Sequence, residues 1–135
     1  MKKILILLCG PPGSGKTTLG KKLCNTLTIA CHFEADMWMV DKSGDYCFNP
    51  KRLRYCHETC QKWTEAAMKI GETVVVSNTN LTKKEAEPYI KLAKLYEYDV
   101  IIEHLLTRFS NTHNVPHEKV KRMMQKQELF TLKDF

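Results

Sequence analysis

Gly10-Pro11-Pro12-Gly13-Ser14-Gly15-Lys16-Thr17 satisfies the pattern GxxxxGKS/T in full. Glycines at that spacing let the backbone turn its N–H groups inward, where a side chain would block an anion. A lysine and a hydroxyl at the loop's end add a reaching cation and a hard oxygen donor. Such a set holds a nucleoside triphosphate with Mg²⁺: Lys16 on the β/γ-phosphates and Thr17 on the metal. Thr18 sits in the first helical turn, where free N–H groups and the macrodipole favour negative charge.

Other residues with chemical potential follow further along. Asp36, in Glu34-Ala35-Asp36-Met37-Trp38, is a carboxylate that can take the proton of an attacking hydroxyl or hold a metal-bound water. Ser77-Asn78-Thr79-Asn80 is a polar run without an acid, so the usual Walker-B aspartate is missing there. Asn78, Thr79 and Asn80 can orient an acceptor chain, or they can cap the next turn. Arg108 lies in the polar stretch from Thr107 to Asn114, placed to act as a lid cation on the transferring phosphoryl group or to remain a solvated arginine. Lys119, Lys121, Arg122 and Lys126 face a single acid, Glu118, and read either as a phosphate-contacting face or as a solvated one.

These residues must be positioned by alternating strands and helices. Ile4–Cys9 is an apolar run entering the glycine loop, and Leu19, Leu23 and Leu27 make one helical stripe after it. A second strand is expected over Thr28–Glu34. Asn49 and Pro50 open a helix running to about Ile70, before Gly71. Glu72–Ser77 reads as a buried strand. Thr82-Lys83-Lys84-Glu85 is a capping-box pattern, beginning a helix that carries Ile90, Ala93 and Leu95. A fourth strand is expected over Tyr98–Leu106, and Pro116 opens a last helix. The order implies an α/β fold with a parallel sheet, its ligands at the C-terminal strand ends.

At 135 residues the chain reads as one domain, 1–135. Its net charge of +6 fits anionic partners such as ATP and a nucleic acid, or simply a soluble basic surface. The six cysteines show no CxxC spacing. Cys56 and Cys60, flanking His57 at i, i+4, are a metal edge or helix-face residues. The pattern places the protein in a reducing compartment, cytoplasmic or nuclear. Met1-Lys2-Lys3 and its apolar run resemble a leader, but the run is short and feeds the glycine loop. No membrane span is expected.

With these residues in view, nearly the whole chain resembles the phosphate-loop kinase domain of phage-type polynucleotide 5′-hydroxyl kinases and their eukaryotic relatives. Four anchors carry the likeness: the glycine loop, Asp36 with Trp38, the run Val74 to Leu81, and Asn114-Val115-Pro116 leading into Lys121-Arg122-Met123. The resemblance implies a phosphate-loop three-layer α/β/α sandwich with strand order 2-3-1-4, a lid after the fourth strand and a C-terminal helix. It implies transfer of the ATP γ-phosphate to the 5′-hydroxyl of DNA or RNA, with Lys16 and Thr17 on the phosphates and Mg²⁺. Asp36 would be the general base, and Val115 and Pro116 would lie near the adenine. The sequence departs from that pattern at Ser110, where an arginine is usual, at Asn78, where phage members carry an acid, and at Met39, where they carry a substrate-binding arginine. Two other functions share these motifs: a small-molecule kinase, and an ATP-binding module with weak or no transfer.

Overall fold

The structure is a computed structural model that describes residues 3–27, 31–79, 82–106 and 117–135. Its centre is a four-stranded parallel sheet of β1 (Ile4–Cys9), β2 (Cys31–Phe33), β3 (Val74–Val76) and β4 (Asp99–His104). The strand order is β2-β3-β1-β4, as the family resemblance implied. β1 pairs with β3 in the register Leu5 to Val74 and with β4 in the register Ile4 to Asp99.

Side chains of one strand alternate between the two faces of the sheet, and that parity builds two cores. On one face Leu5, Leu7, Cys9, Val74 and Val76 pack against α2 (Leu53–Lys69) and α3 (Lys83–Leu95). On the other, Ile6, Leu8 and Val75 meet Leu19, Leu23 and Cys24 of α1 (Lys16–Thr26). The result is three layers. Side chains of Val or Leu size are worth about 1.5–3 kcal/mol each when fully buried, so β1 and β3, covered on both faces, form the firmest platform. The phosphate loop and the Ser77-Asn78 run both leave from the C-terminal ends of these two strands.

The helices begin where local chemistry starts them. The Asn49 side chain accepts from Lys51 N at 3.0 Å, and Pro50 opens a 3₁₀ turn, Pro50–Arg52, that runs into α2. Cys56, Cys60, Thr64, Ala67 and Met68 then recur on one stripe and are buried. Thr82 caps α3 by accepting from Glu85 N. A final helix, α4 (His117–Lys126), follows β4.

Several expected boundaries shift. β2 stops at Phe33, before Glu34, and its expected start at Thr28 lies outside the described residues. β3 is shorter than Glu72–Ser77, and α2 ends at Lys69. Leu95 is exposed, because two residues beyond Ala93 it has rotated off the buried Ile90–Ala93 stripe. Leu27 is also exposed, lying just past the end of α1.

Candidate active site

The phosphate loop is clamped at its root. Gly10 N donates to Thr79 O at 3.0 Å, and Leu105 N donates to Cys9 O at 2.7 Å. A Cβ on Gly10 would lie 2.6 Å from Ser14 Oγ and 2.8 Å from Leu105 O, so only glycine fits. Gly15 caps α1 with φ 92, a left-handed conformation that a side chain would strain. Ser14 N donates to Pro11 O at 3.2 Å, and the Lys16 ammonium donates to the same carbonyl at 3.3 Å. The Ser14 hydroxyl is buried with no partner among the described residues, which suits a loop shaped for an anionic guest. Burial pushes the Lys16 ammonium below its ordinary range, while the carboxylates of Glu34 and then Asp36 pull it back up.

Two carboxylates therefore act on Lys16, and the sequence reading singled out only one of them. Just past β2, Glu34 Oε2 accepts from the Thr17 hydroxyl at 2.8 Å and from the Ser77 hydroxyl at 2.9 Å. His32 Nε2 lies 2.6 Å from Ser77 Oγ and 4.0 Å from Glu34 Oε2. Serine has one proton. With that proton donated to Glu34, His32 must donate from Nε2, which fixes its tautomer. Burial holds the His32 imidazole below its usual range, against the raising effect of Glu34. α1 comes close enough for this contact because position 20 is glycine; a Cβ there would meet His32 Nε2 at 2.6 Å.

The donor set suits Mg²⁺. Thr17 spends its proton on Glu34 and keeps its lone pairs, and a carboxylate stands beside it; both are hard oxygens. Glu34, one residue past β2, is thus an acid held beside Thr17, where the run after β3 has none. A signal for it existed: an acid at a C-terminal strand end, beside the strand that leads to Ser77.

Asp36 follows in the 3₁₀ turn Ala35–Trp38. Besides Lys16, its charge reaches the Tyr46 hydroxyl and the Cys56 thiol, helping to raise both, although burial is the larger cause in each. Asn78 is placed differently from the expectation that it orients a substrate. Its Oδ1 accepts from Ala35 N at 2.6 Å, and its Nδ2 donates to Tyr89 Oη at 2.9 Å and to Cys60 Sγ at 3.6 Å. The pleat explains this: Asn78 shares the parity of Val74 and Val76 and points into the α2–α3 core. It ties the Asp36 turn to two helices. Thr79 contributes its carbonyl to the root of the loop. Cys56 and Cys60 are fully buried core residues on α2, with His57 exposed between them. Asn80, Arg108, Val115 and Pro116 lie outside the described residues.

A family model described as an AAA domain matches residues 5–129. The chain belongs to that family. Human NEDD4-binding protein 2 is 31% identical over 137 residues, covering 94% of this AAA domain chain. The chain spans only 8% of that relative's length. Among solved structures, a chain of the Pnkp1/Rnl/Hen1 RNA repair complex superposes with a TM-score of 0.65 at 19% identity, covering 98% of this chain and 41% of that one. An APS kinase from Mycobacterium tuberculosis superposes with a TM-score of 0.61 at 13% identity, covering 93% and 96%. At those identities the likeness is one of fold: the AAA domain described here has a phosphate-loop kinase-like architecture.

Proposed function

We propose that this AAA domain transfers the γ-phosphate of ATP to the 5′-hydroxyl of a polynucleotide. The observation that carries the reading is the Thr17 hydroxyl, at the end of the phosphate loop, donating to Glu34 Oε2 at 2.8 Å, with Asp36 two residues further on. Glu34 is held by the Thr17 hydroxyl, and Asp36, in the turn that follows, is the acid assigned to the acceptor.

In this reading Lys16 and the loop N–H groups hold the β- and γ-phosphates. Mg²⁺, when bound, neutralises charge building on the phosphate oxygens, and Thr17 with Glu34 would hold it. Asp36 accepts the acceptor's hydroxyl proton as its oxygen forms a bond to the γ-phosphorus. The bond from that phosphorus to the β–γ bridging oxygen breaks, and ADP leaves. Arg108 acts as the lid cation, and Val115 and Pro116 flank the adenine. The likeness to a chain of an RNA repair complex and the formal charge of +6 support a nucleic-acid acceptor. Six free cysteines support a reducing compartment, cytoplasmic or nuclear, as the place of action.

The test is incubation with γ-labelled ATP, Mg²⁺ and 5′-hydroxyl oligonucleotides, with Asp36→Asn as control. Label on the 5′ end with the unmodified chain alone supports both the acceptor and the base. Label on small hydroxyl compounds only would replace the polynucleotide, and no label on any acceptor would leave a nucleotide-binding module.

A further inference from the structure

Next to the Asp36 turn the chain exposes aromatic rings that the core does not use. Tyr46, Phe48 and Tyr55 are 38%, 48% and 53% exposed, all within ten residues of sequence. Burying rings of this size is favourable, so three half-exposed rings near the Asp36 turn are an invitation to a ligand. Cations sit on two of them. The Arg52 guanidinium lies 4.9 Å from the centroid of Tyr55, and the Lys119 ammonium lies 5.0 Å from the centroid of Phe48.

The segment is held in place. Val40 and Tyr46 form an antiparallel bridge, and Cys47 N donates to Met39 O at 3.0 Å. Asn49 N reaches the sulfur of the buried Met39 at 3.4 Å. Arg52 Nη2 donates to Trp38 O at 3.2 Å, which fastens the first cation to the turn carrying Asp36. Tyr46 stands close enough to Asp36 for its hydroxyl to feel the carboxylate. The second cation comes from a distant part of the chain, since Lys119 belongs to α4. Lys119 of α4 and the aromatic segment therefore meet at Phe48.

We infer that Tyr46, Phe48 and Tyr55, with Arg52 and Lys119, form a track that binds single-stranded nucleic acid leading away from Asp36. This rests on the hydroxyl-phosphotransfer reading and names its acceptor more closely. Rings offer a stacking face to any base, and the cations over one face of Tyr55 and of Phe48 meet the backbone phosphates. A duplex keeps its bases stacked on one another and cannot use the rings. A small hydroxyl compound ends at Asp36 and has nothing to place on Phe48 or Tyr55.

The test is fluorescence anisotropy with labelled 5′-hydroxyl oligonucleotides on the full chain, in the absence of ATP. A single strand of roughly ten nucleotides should bind more tightly than a dinucleotide and than a blunt duplex of the same length. Phe48→Leu and Tyr55→Leu keep apolar bulk but lose the ring, and each should weaken single-strand binding roughly tenfold. Phe48→Trp should retain it. Lys119→Gln should flatten the dependence of affinity on salt by somewhat less than one unit of slope. ATP affinity, measured in parallel, should stay unchanged in all four variants, which separates loss of the track from loss of the fold. Equal binding of duplex and single strand, or Leu variants that bind as well as the original, would overturn the inference. Tight ring-dependent binding without any phosphate transfer would sustain the track and defeat the kinase reading instead.

Discussion

Glu34→Gln is the sharpest perturbation of the site, because it removes a charge while keeping shape. The carboxylate accepts from the Thr17 and Ser77 hydroxyls at 2.8 and 2.9 Å. Glutamine still offers one oxygen to those donors, but the bonds become neutral. A hydrogen bond to a charged group contributes about 1.5–3 kcal/mol, against about 0.5–1.5 for a neutral pair. Losing the charge should therefore cost roughly 1.4 kcal/mol in holding the Thr17 lone pairs toward a metal, a factor of about ten. The same charge also repels a bare triphosphate near Lys16, so its removal acts with opposite sign on the metal-free nucleotide.

The expected signature is a split. Measured by titration calorimetry, ATP without Mg²⁺ should bind Glu34→Gln as tightly as the original chain or more tightly. ATP with Mg²⁺ should bind about tenfold more weakly, and half-saturating Mg²⁺ should rise by a similar factor. Mn²⁺ as a spectroscopic substitute reads the metal directly by the loss of its free-ion signal. A uniform weakening with and without metal would show that Glu34 serves only to brace the loop. An unchanged Mg²⁺ requirement would remove Glu34 from the metal site altogether.

Asn78→Ala should leave the Ala35 N–H without its buried partner, while the Tyr89 hydroxyl keeps Cys60; at about 1–3 kcal/mol for the orphaned group, stability should fall by roughly 2 kcal/mol, seen as a lower urea midpoint at unchanged slope. Lys16→Ala should weaken ATP binding at least about tenfold, since a single hydrogen bond to a charged group is worth that much, and unchanged nucleotide affinity would contradict the phosphate-cradle assignment. Burial pushes the Cys9 thiol up from 9.0 to about 12, so the folded state keeps a proton that the unfolded chain releases. Its contribution is complete below pH 9 and is lost as pH rises toward 12, at about 1.4 kcal/mol per pH unit. The buried Cys60 thiol and Tyr89 hydroxyl are raised too and act with the same sign. Urea midpoints measured between about pH 8 and pH 10.5 should fall, and Cys9→Ala should shallow that fall.

The phosphate loop was legible in the sequence because a glycine pattern between an apolar run and a leucine stripe has few other physical solutions. The helix starts at Asn49 and Thr82 were legible for a similar reason, since each depends on a side chain a few residues from the groups it caps. Glu34 and Asn78 were harder because their roles depend on parity across strands that are 40 residues apart. Ser77 shares a sheet face with Val75 and Asn78 with Val76, and the pleat sends the two adjacent polar residues to opposite sides. Ser77 therefore reaches Glu34 under α1, while Asn78 goes into the α2–α3 core. Read as one polar run, Ser77 to Asn80 looks like a single acceptor surface; read with a period of two, Ser77 and Asn78 separate into a hydroxyl facing Glu34 and a structural amide. The same parity accounts for the missing acid after β3. A carboxylate at position 78 would be buried against Tyr89 and Cys60, away from Thr17, so an acid serving Thr17 has to come from the neighbouring strand. Glu34 stands one residue beyond the end of β2, on the α1 face, where that requirement is met.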